Sequence, residues 1–389
     1  MIRIAIPPIG GDHWRGGWNY MLTLLRTMAA DAPNDVKAVL FLGDEVDPAA
    51  LESVNELAGI EIVRDNAFAA ANWTRRIVDG LGSGVDHAAL RAFRAARIDI
   101  ALEADCYFGW RFPLPLLSWI PDFQHCHLPR LFSRWGRVRR TLRFRAQAWR
   151  PGVLVSSEDA RSDCLRFFPA ASGHVHVARF AAQPSVMGEK EVRRRIAALD
   201  LPARYFFVPN QLWVHKNHQL VIEAAKLLWD QGSPETVVMT GLGKSAFAQR
   251  HPQFLIELIS RYGLERNVRM LGSVGTADVQ ALMIGATALI NPSRFEGWST
   301  TVEEAKATGT PMLLSDIAVH REQAGAAARY FPTDDAKSLA ELITSQTSRS
   351  WQSIAADRRT AGVATEDRRH DFASAFVDAV RKAYARGTT

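Results

Sequence analysis

The sequence predicts an α/β protein of two doubly wound parallel-sheet domains facing each other across a cleft, and three observations predict it. Short apolar runs bounded by turn residues alternate with amphipathic stretches along most of the chain, the pattern of parallel strands buried under helices. The alternation comes in two blocks, divided near Gln183-Pro184 and Met187-Gly188. The length of 389 residues, 47% of them hydrophobic, exceeds what one core serves, since single cores stop growing at roughly 250 to 300 residues.

In the first block, Ile2 to Ile6 reads as a strand, Pro7 to Gly17 as a glycine-containing loop and Trp18 to Met28 as a helix. Val36 to Leu42, Ile60 to Val63, Ile98 to Leu102, Leu116 to Ile120 and Val153 to Ser156 are further strand candidates, and Ala89 to Ala96 a helix. The second block predicts strands at 205–208, 236–240, 268–271, 288–291 and 311–315, with helices at 218–229, 254–262, 277–284 and 300–308. The strand at 236–240 ends in the turn Gly241-Leu242-Gly243. The expected domains are 1–183 and 184–364, with 365–389 forming a helix that packs back on the first; Phe372, Phe376, Val377, Val380 and Tyr384 share one face there.

Composition excludes several classes. The charged fraction of 23% is that of an ordinary globular chain. Three cysteines, Cys106, Cys126 and Cys164, show no C-x-x-C spacing, which disfavours a disulfide framework or structural zinc and suits a reduced cytoplasmic setting. The N-terminal stretch has no signal-peptide pattern, and the apolar run at 112–120 is too short to span a bilayer. The expected protein is therefore cytoplasmic, at most peripheral at the inner face of a membrane.

The most informative stretch runs from Asn291 to Asp316. Glu296 lies in a loop after a predicted strand, and Glu304 inside the helix that follows. Between them, Gly297, Trp298, Ser299, Thr300 and Thr301 lead into a helix start whose free N–H groups suit an anion. One carboxylate could bind sugar hydroxyls, the helix start a diphosphate and the second carboxylate a ribose diol. A solvated helix residue and a surface loop acid are the plain alternatives.

This stretch resembles the signature of the retaining glycosyltransferases of family 4, whose GT-B fold has two Rossmann-like domains. The resemblance extends over Val208-Pro-Asn-Gln-Leu-Trp-Val-His-Lys-Asn-His218, Thr240-Gly-Leu-Gly243 and Val268-Arg-Met-Leu-Gly272, in the expected order. It implies that Lys216 holds the donor diphosphate, that Glu304 takes the ribose hydroxyls and that Glu296 takes the transferred sugar. The family arginine five residues before Lys216 is replaced by Gln211, with His215 or Arg294 as compensating groups. Asn210, Gly241, Arg269 and Leu271 fall at further donor-binding positions, the last two near the base. Gly16 and Gly17 lie where the family's glycines let backbone approach the phosphates.

In the first block, the segment 118–129 resembles one in which relatives carry His-Asp; here Pro121 replaces the histidine and Asp122 is kept. His125 is the candidate catalytic imidazole and His127 the second, with packing in a loop as the alternative. An extended strand would point both rings to one face without the further ligands that zinc needs, so no metal is expected.

The formal net charge of +6 is unevenly spread: eight arginines and no acid lie between Arg130 and Arg150, and the rest of the chain is slightly acidic. Leu131, Trp135, Val138, Leu142 and Trp149 fall within a narrow helical arc, and Arg134, Arg137, Arg139, Arg140 and Arg143 mostly fall outside it. The segment fits either an anionic membrane or acceptor patch, or an amphipathic helix packed on its own domain with a solvated basic face. Nucleic acid is not an expected partner.

These observations predict an enzyme, a retaining glycosyltransferase of glycan or polysaccharide biosynthesis. It would move a sugar from a UDP- or GDP-linked donor to a saccharide or lipid-linked saccharide, with no cofactor beyond that donor. A nucleotide-sugar 2-epimerase or inverting transferase on the same fold is one alternative. A nucleotide-sugar-binding scaffold with impaired catalysis, suggested by Pro121 and Gln211, is another.

Overall fold

The computed structural model describes residues 1–10, 15–32, 35–46, 54, 57–233, 235–241 and 246–388. Packing divides the chain into two units, Met1–Phe180 with Asp367–Thr389, and Ala181–Glu366.

The first unit runs β1 (Ile2–Ile6), α1 (Arg15–Asp31), β2 (Val36–Leu42), β3 (Glu61–Arg64), α2 (Trp73–Gly82), α3 (His87–Ala95), β4 (Ile100–Glu103) and β5 (Leu116–Trp119). It continues through the single turn α4 (Gln124–His127), α5 (Arg134–Gln147), β6 (Gly152–Val155), α6 (Glu158–Phe167) and β7 (Val175–Val177). Its strands pair in the order β3-β2-β1-β4-β5-β6-β7, all parallel.

The second unit contains α7 (Glu189–Ala197), β8 (Phe206–Val208), α8 (His218–Asp230), β9 (Val237–Met239), α9 (Ala246–Arg261), β10 (Val268–Met270) and α10 (Thr276–Gly285). After these come β11 (Ala288–Asn291), α11 (Thr300–Thr308), β12 (Met312–Ser315), α12 (Ala318–Ala324), β13 (Ala328–Phe331) and α13 (Ala336–Thr344). The order is β10-β9-β8-β11-β12-β13, again all parallel. The last helix, α14 (Trp351–Thr388), belongs to the first unit from Asp367 onward.

Strand periodicity explains why the central strands of the second sheet, β8 and β11, are buried along their whole length. In β8, Phe206 and Val208 enter one core cluster with Leu220, Val221 and Leu255, while Phe207 points into another with Leu282, Met283 and Val302. β11 divides the same way: Ala288 and Ile290 go to the first cluster and Leu289 to the second. A strand with helices on both faces buries every side chain, so it reads as a continuous apolar run.

The tail helix places Phe372, Phe376, Val377 and Val380 in the interior of the first unit. There the Phe372 ring meets Tyr20, and Arg369 pairs with Asp31. This helix begins at Trp351, earlier than the apolar pattern indicates. Strands β7 and β13 were not expected, nor were helices α2, α4, α12, α13, α6 and α7. The last two carry many charged residues: Ser157 caps α6 by accepting from Ala160 N–H at 2.9 Å, with Glu158 and Asp159 in its first turn, and Glu189 and Glu191 stand in the first turn of α7. Gly16 and Gly17 were expected in the loop after β1; they lie instead in the first turn of α1.

Candidate functional site

In the second unit the strand order reverses between β8 and β11, which leave the sheet side by side. Loops after the carboxyl ends of such strands are the ligand-binding positions of doubly wound sheets. Residues 209–217 follow β8 and residues 292–299 follow β11. The two loops are joined by Asn217, which caps α8 in the left-handed conformation at φ 58° and donates from Nδ2 to the Pro292 and Thr333 carbonyls at 3.2 and 2.8 Å. Gly241 brings the post-β9 loop against them: at φ 103°, a Cβ there would lie 2.5 Å from the Asn210 carbonyl oxygen. Leu242 and Gly243 lie outside the described residues.

The bend after β8 places Lys216 over Glu296, with Nζ 2.6 Å from Oε1. Ser293 Oγ approaches both Glu296 Oε1 and Asn291 Oδ1 at 2.7 Å, and Asn210 Nδ2 donates to Asn291 Oδ1 at 3.1 Å. Glu296, Ser293, Asn291 and Asn210 are all buried. Burial alone would raise the Glu296 carboxyl. The Lys216 ammonium, the neighbouring His320 and hydrogen bonds from Lys216 and Ser293 outweigh it and hold the group below the usual carboxylate range. Glu304 differs: burial, with no opposing cause, pushes it up to about 7. His218 is pushed down to about 3 by burial and donates from Nε2 to the Asn210 carbonyl at 3.2 Å.

The start of α11 is more occupied than the sequence suggests. The Ser299 N–H donates to Gln323 Oε1 at 3.0 Å, and Gln323 Nε2 returns a bond to the Ser299 carbonyl at 3.0 Å. Ser299 Oγ accepts from Asn291 Nδ2 at 2.9 Å and lies 3.1 Å from Thr301 Oγ1. One expected free amide is therefore capped, and the hydroxyls are fixed by the Asn291 cluster. Thr300 and Thr301 are half-buried in the first turn, as are Gly297 and Trp298 before it.

The other expected donor positions cluster on the same loops. Gln211 is half-buried, and His215 is buried beside Trp213. Arg294 is exposed, its N–H bonded to the His215 carbonyl at 2.8 Å. Arg269 and Leu271, in and after β10, are half-buried, and the Leu271 N–H bonds the Met239 carbonyl at 2.9 Å. Sequence reasoning missed Ser293, Gln323 and His320. His320 is fully buried, its Nδ1 2.9 Å from the Ser315 carbonyl and its Nε2 without a hydrogen-bond partner.

In the first unit the segment after β5 is a helical turn, not an extended strand, and that separates the two histidines. Residues two apart on a helix are about 200° apart, so His125 is 3% exposed against Phe144 and Phe132 while His127 reaches outward. Burial, then the Arg140 charge, pushes His125 down to about 4. The proposed catalytic imidazole at His125 is thus a neutral core side chain. His127 Nε2 lies 2.6 Å from Asp163 Oδ2, a pairing with no signal in the sequence. Asp122 Oδ1 accepts from the Gln124 N–H at 2.9 Å and from Arg140 Nη2 at 2.6 Å. Arg143 pairs with Asp105 at 3.3 Å. Arg134 and Arg139 are exposed and Arg137 half-buried. Among the described residues, no group of three or more His, Cys, Asp or Glu could hold a metal ion, and no helix is long and apolar enough to cross a membrane.

Residues 189–353 match the family described as "Glycosyl transferases group 1". The chain is 31% identical over 139 residues to the O-antigen chain mannosyltransferase RfbU of Salmonella typhimurium, covering 36% of this chain and 37% of that protein. It is 28% identical over 213 residues to O-antigen chain mannosyltransferase B of Escherichia coli, covering 54% and 55%. These matches thus span between a third and somewhat over half of the curated relatives.

Among solved structures, Anabaena HepE in complex with UDP and glucose superposes with a TM-score of 0.69 at 16% identity, covering 98% of this chain and all of that one. Sucrose-phosphate synthase from Thermosynechococcus elongatus gives 0.65 at 16%, covering 97% and 95%. At these identities the likeness is one of fold, and the fold is GT-B. The likeness of this chain to the glycosyl transferases group 1 family thus lies in residues 189–353.

Proposed function

We propose that this chain is a retaining glycosyltransferase that moves a hexose from a UDP- or GDP-linked donor to a saccharide or lipid-linked saccharide during glycan assembly. It would act in the cytoplasm, at the inner face of a membrane. The observation that carries the reading is the Lys216–Glu296–Ser293 cluster at the strand reversal of the second unit. The likeness to two O-antigen mannosyltransferases supports glycan assembly, and the fold shared with HepE, solved with UDP and glucose, supports a nucleotide-sugar donor.

The chemistry follows from charge. As the bond between the anomeric carbon and the diphosphate oxygen breaks, its electron pair passes to that oxygen. Lys216 and the α11 N-terminus would stabilise the charge. Lys216 already has a partner in Glu296, so donor binding must divide that pair: the ammonium turns to phosphate and the carboxylate to sugar hydroxyls. The acceptor oxygen attacks on the face the diphosphate leaves, and its proton passes to the departing diphosphate oxygen. Glu304 would receive the ribose hydroxyls.

A thermal-shift panel of UDP, GDP and their hexose conjugates, followed by anomeric analysis of the product, tests this reading. A rise in unfolding midpoint with one nucleotide series and a product of retained configuration are expected. An inverted product removes retention, and no shift with any nucleotide removes the donor assignment.

A further inference from the structure

The helix carrying the arginines is turned opposite to an ordinary amphipathic packing helix. Phe144 and Gln147 form its buried side. Trp135, Val138 and Leu142 lie within about 60° of arc on the far side, at about 100° per residue. Trp135 is 83% exposed and Leu142 61%. The stripe continues beyond both ends of the helix, through Leu131 before it and Trp149, 72% exposed, after it.

A second exposed apolar group adjoins the end of that stripe. Arg150, next to Trp149, donates from Nη2 to the Gly109 carbonyl at 2.9 Å. Trp110 follows and is 63% exposed. On its other side, a Cβ at Gly84 would lie 2.9 Å from the Trp110 ring, and the Arg111 N–H bonds the Gly84 carbonyl at 2.8 Å. Gly84 follows the end of α2, which exposes Val78 and Leu81.

The charges narrow the occupant. Arg140, Arg143 and Arg150 are held by Asp122, Asp105 and Glu103. Among the described residues, Arg134, Arg137, Arg139 and Arg145 have no acidic partner. The segment from Arg130 to Arg150 contains no acid, so two copies meeting through this face would set cation against cation. A surface that is apolar, negatively charged and receptive to interfacial tryptophan is an anionic bilayer.

We propose that α5 lies in the plane of an anionic lipid bilayer, with Trp135, Val138 and Leu142 inserted, Arg134, Arg139 and Arg145 at the headgroups and Trp110 as a second anchor. The acceptor would then be presented from the lipid. That last step rests on the proposed transfer; the docking does not.

The test is flotation of the full chain with phosphatidylcholine vesicles, with and without about a third phosphatidylglycerol, at low and high salt. Binding is expected on the anionic vesicles only and should fall with salt. Replacing Arg134, Arg139 and Arg145 by Gln should weaken it about a hundredfold, at about fivefold for each charge. Trp135→Ala with Leu142→Ala should weaken it at least about tenfold, with an unchanged unfolding midpoint. Brominated lipid should quench wild-type tryptophan fluorescence, and Trp135→Phe and Trp110→Phe should each reduce the quenching.

Equal binding to neutral vesicles, wild-type binding by the stripe variants, or a dimer that dissociates when the stripe is replaced would overturn the proposal. Vesicle binding without sugar transfer removes the transfer reading and leaves the docking intact. Full transfer to a lipid-borne acceptor by variants that no longer float removes the presentation of the acceptor through this docking and leaves the docking itself intact.

Discussion

Beyond β8 and β11, the second unit packs Asn210, Asn291, Ser293 and Glu296 into a buried, hydrogen-bonded cluster. Beyond β4 and β5, the first unit turns Trp110, Trp135 and Leu142 outward. Both regions follow strands of a parallel sheet, and both contain cations. The difference is in what the cations meet. Lys216 has a carboxylate 2.6 Å away in a largely buried site, where electrostatic interactions are stronger than at the surface. Arg134 and Arg139 are exposed, and their fields act over a surface and are screened by salt. The first arrangement suits a small, precisely oriented anion, and the second an extended anionic plane.

The sharpest way to break this contrast is at the ion pair. Lys216→Met and Glu296→Gln should each lower kcat by about a hundred- to a thousandfold, the usual cost of removing a preorganised transition-state contact. Vesicle flotation should be unaffected in both. Turnover within a few-fold of wild type in both variants would show that the cluster is structural. Asn291→Ala tests the scaffold under the pair. It removes the acceptor for Asn210 Nδ2 and Ser293 Oγ and the donor to Ser299 Oγ, leaving buried polar groups unsatisfied. A loss of about 1–3 kcal/mol in denaturant unfolding is expected; no loss would mean that water fills the gap.

Much of the second unit was legible because its signals are contiguous. Residues 288–291 and 300–308 form the strand and helix that the apolar pattern predicts, and one stretch carries Glu296, Ser299 and Glu304. Gln323 and His320 were not legible. They reach the site from α12, and no local spacing connects a glutamine amide to the Ser299 N–H more than twenty residues earlier. In the first unit the α5 stripe was visible, but periodicity has no sign: it shows that apolar residues share a face without saying whether the core or solvent lies beyond it. His125 was chosen as the nearest imidazole to the position where Pro121 replaces the family histidine, and nothing in that spacing shows that the chain makes a helical turn there and buries the ring.

Glu304 offers a pH test. Its carboxyl titrates at about 7 instead of 4.5, so the folded chain holds a proton that the unfolded chain releases. That contribution to stability is complete below about pH 4.5 and is lost as pH rises to about 7. A ribose diol donates hydrogen bonds, so donor affinity should move the other way, rising by up to about tenfold per pH unit below 7 and levelling above it. Titration calorimetry across this range should show the slope in wild type and its loss in Glu304→Gln. A pH-independent affinity in wild type would mean that Glu304 does not meet the donor as a carboxylate.

The smallest expected effect concerns the missing cation at position 211. Gln211 is half-buried in the loop that carries Lys216, near an exposed Arg294 whose backbone is tied to His215. If the second unit holds the diphosphate, Gln211→Arg places a guanidinium where the fork geometry of Arg suits phosphate, and the donor KM should fall by up to about fivefold, the scale of a partly exposed ion pair. The same charge added to the first unit, for example by Thr141→Arg on α5, should leave the donor KM unchanged and strengthen flotation on anionic vesicles. A rise in KM for Gln211→Arg would show that Arg294 already occupies the phosphate position, and that a second cation there repels the first.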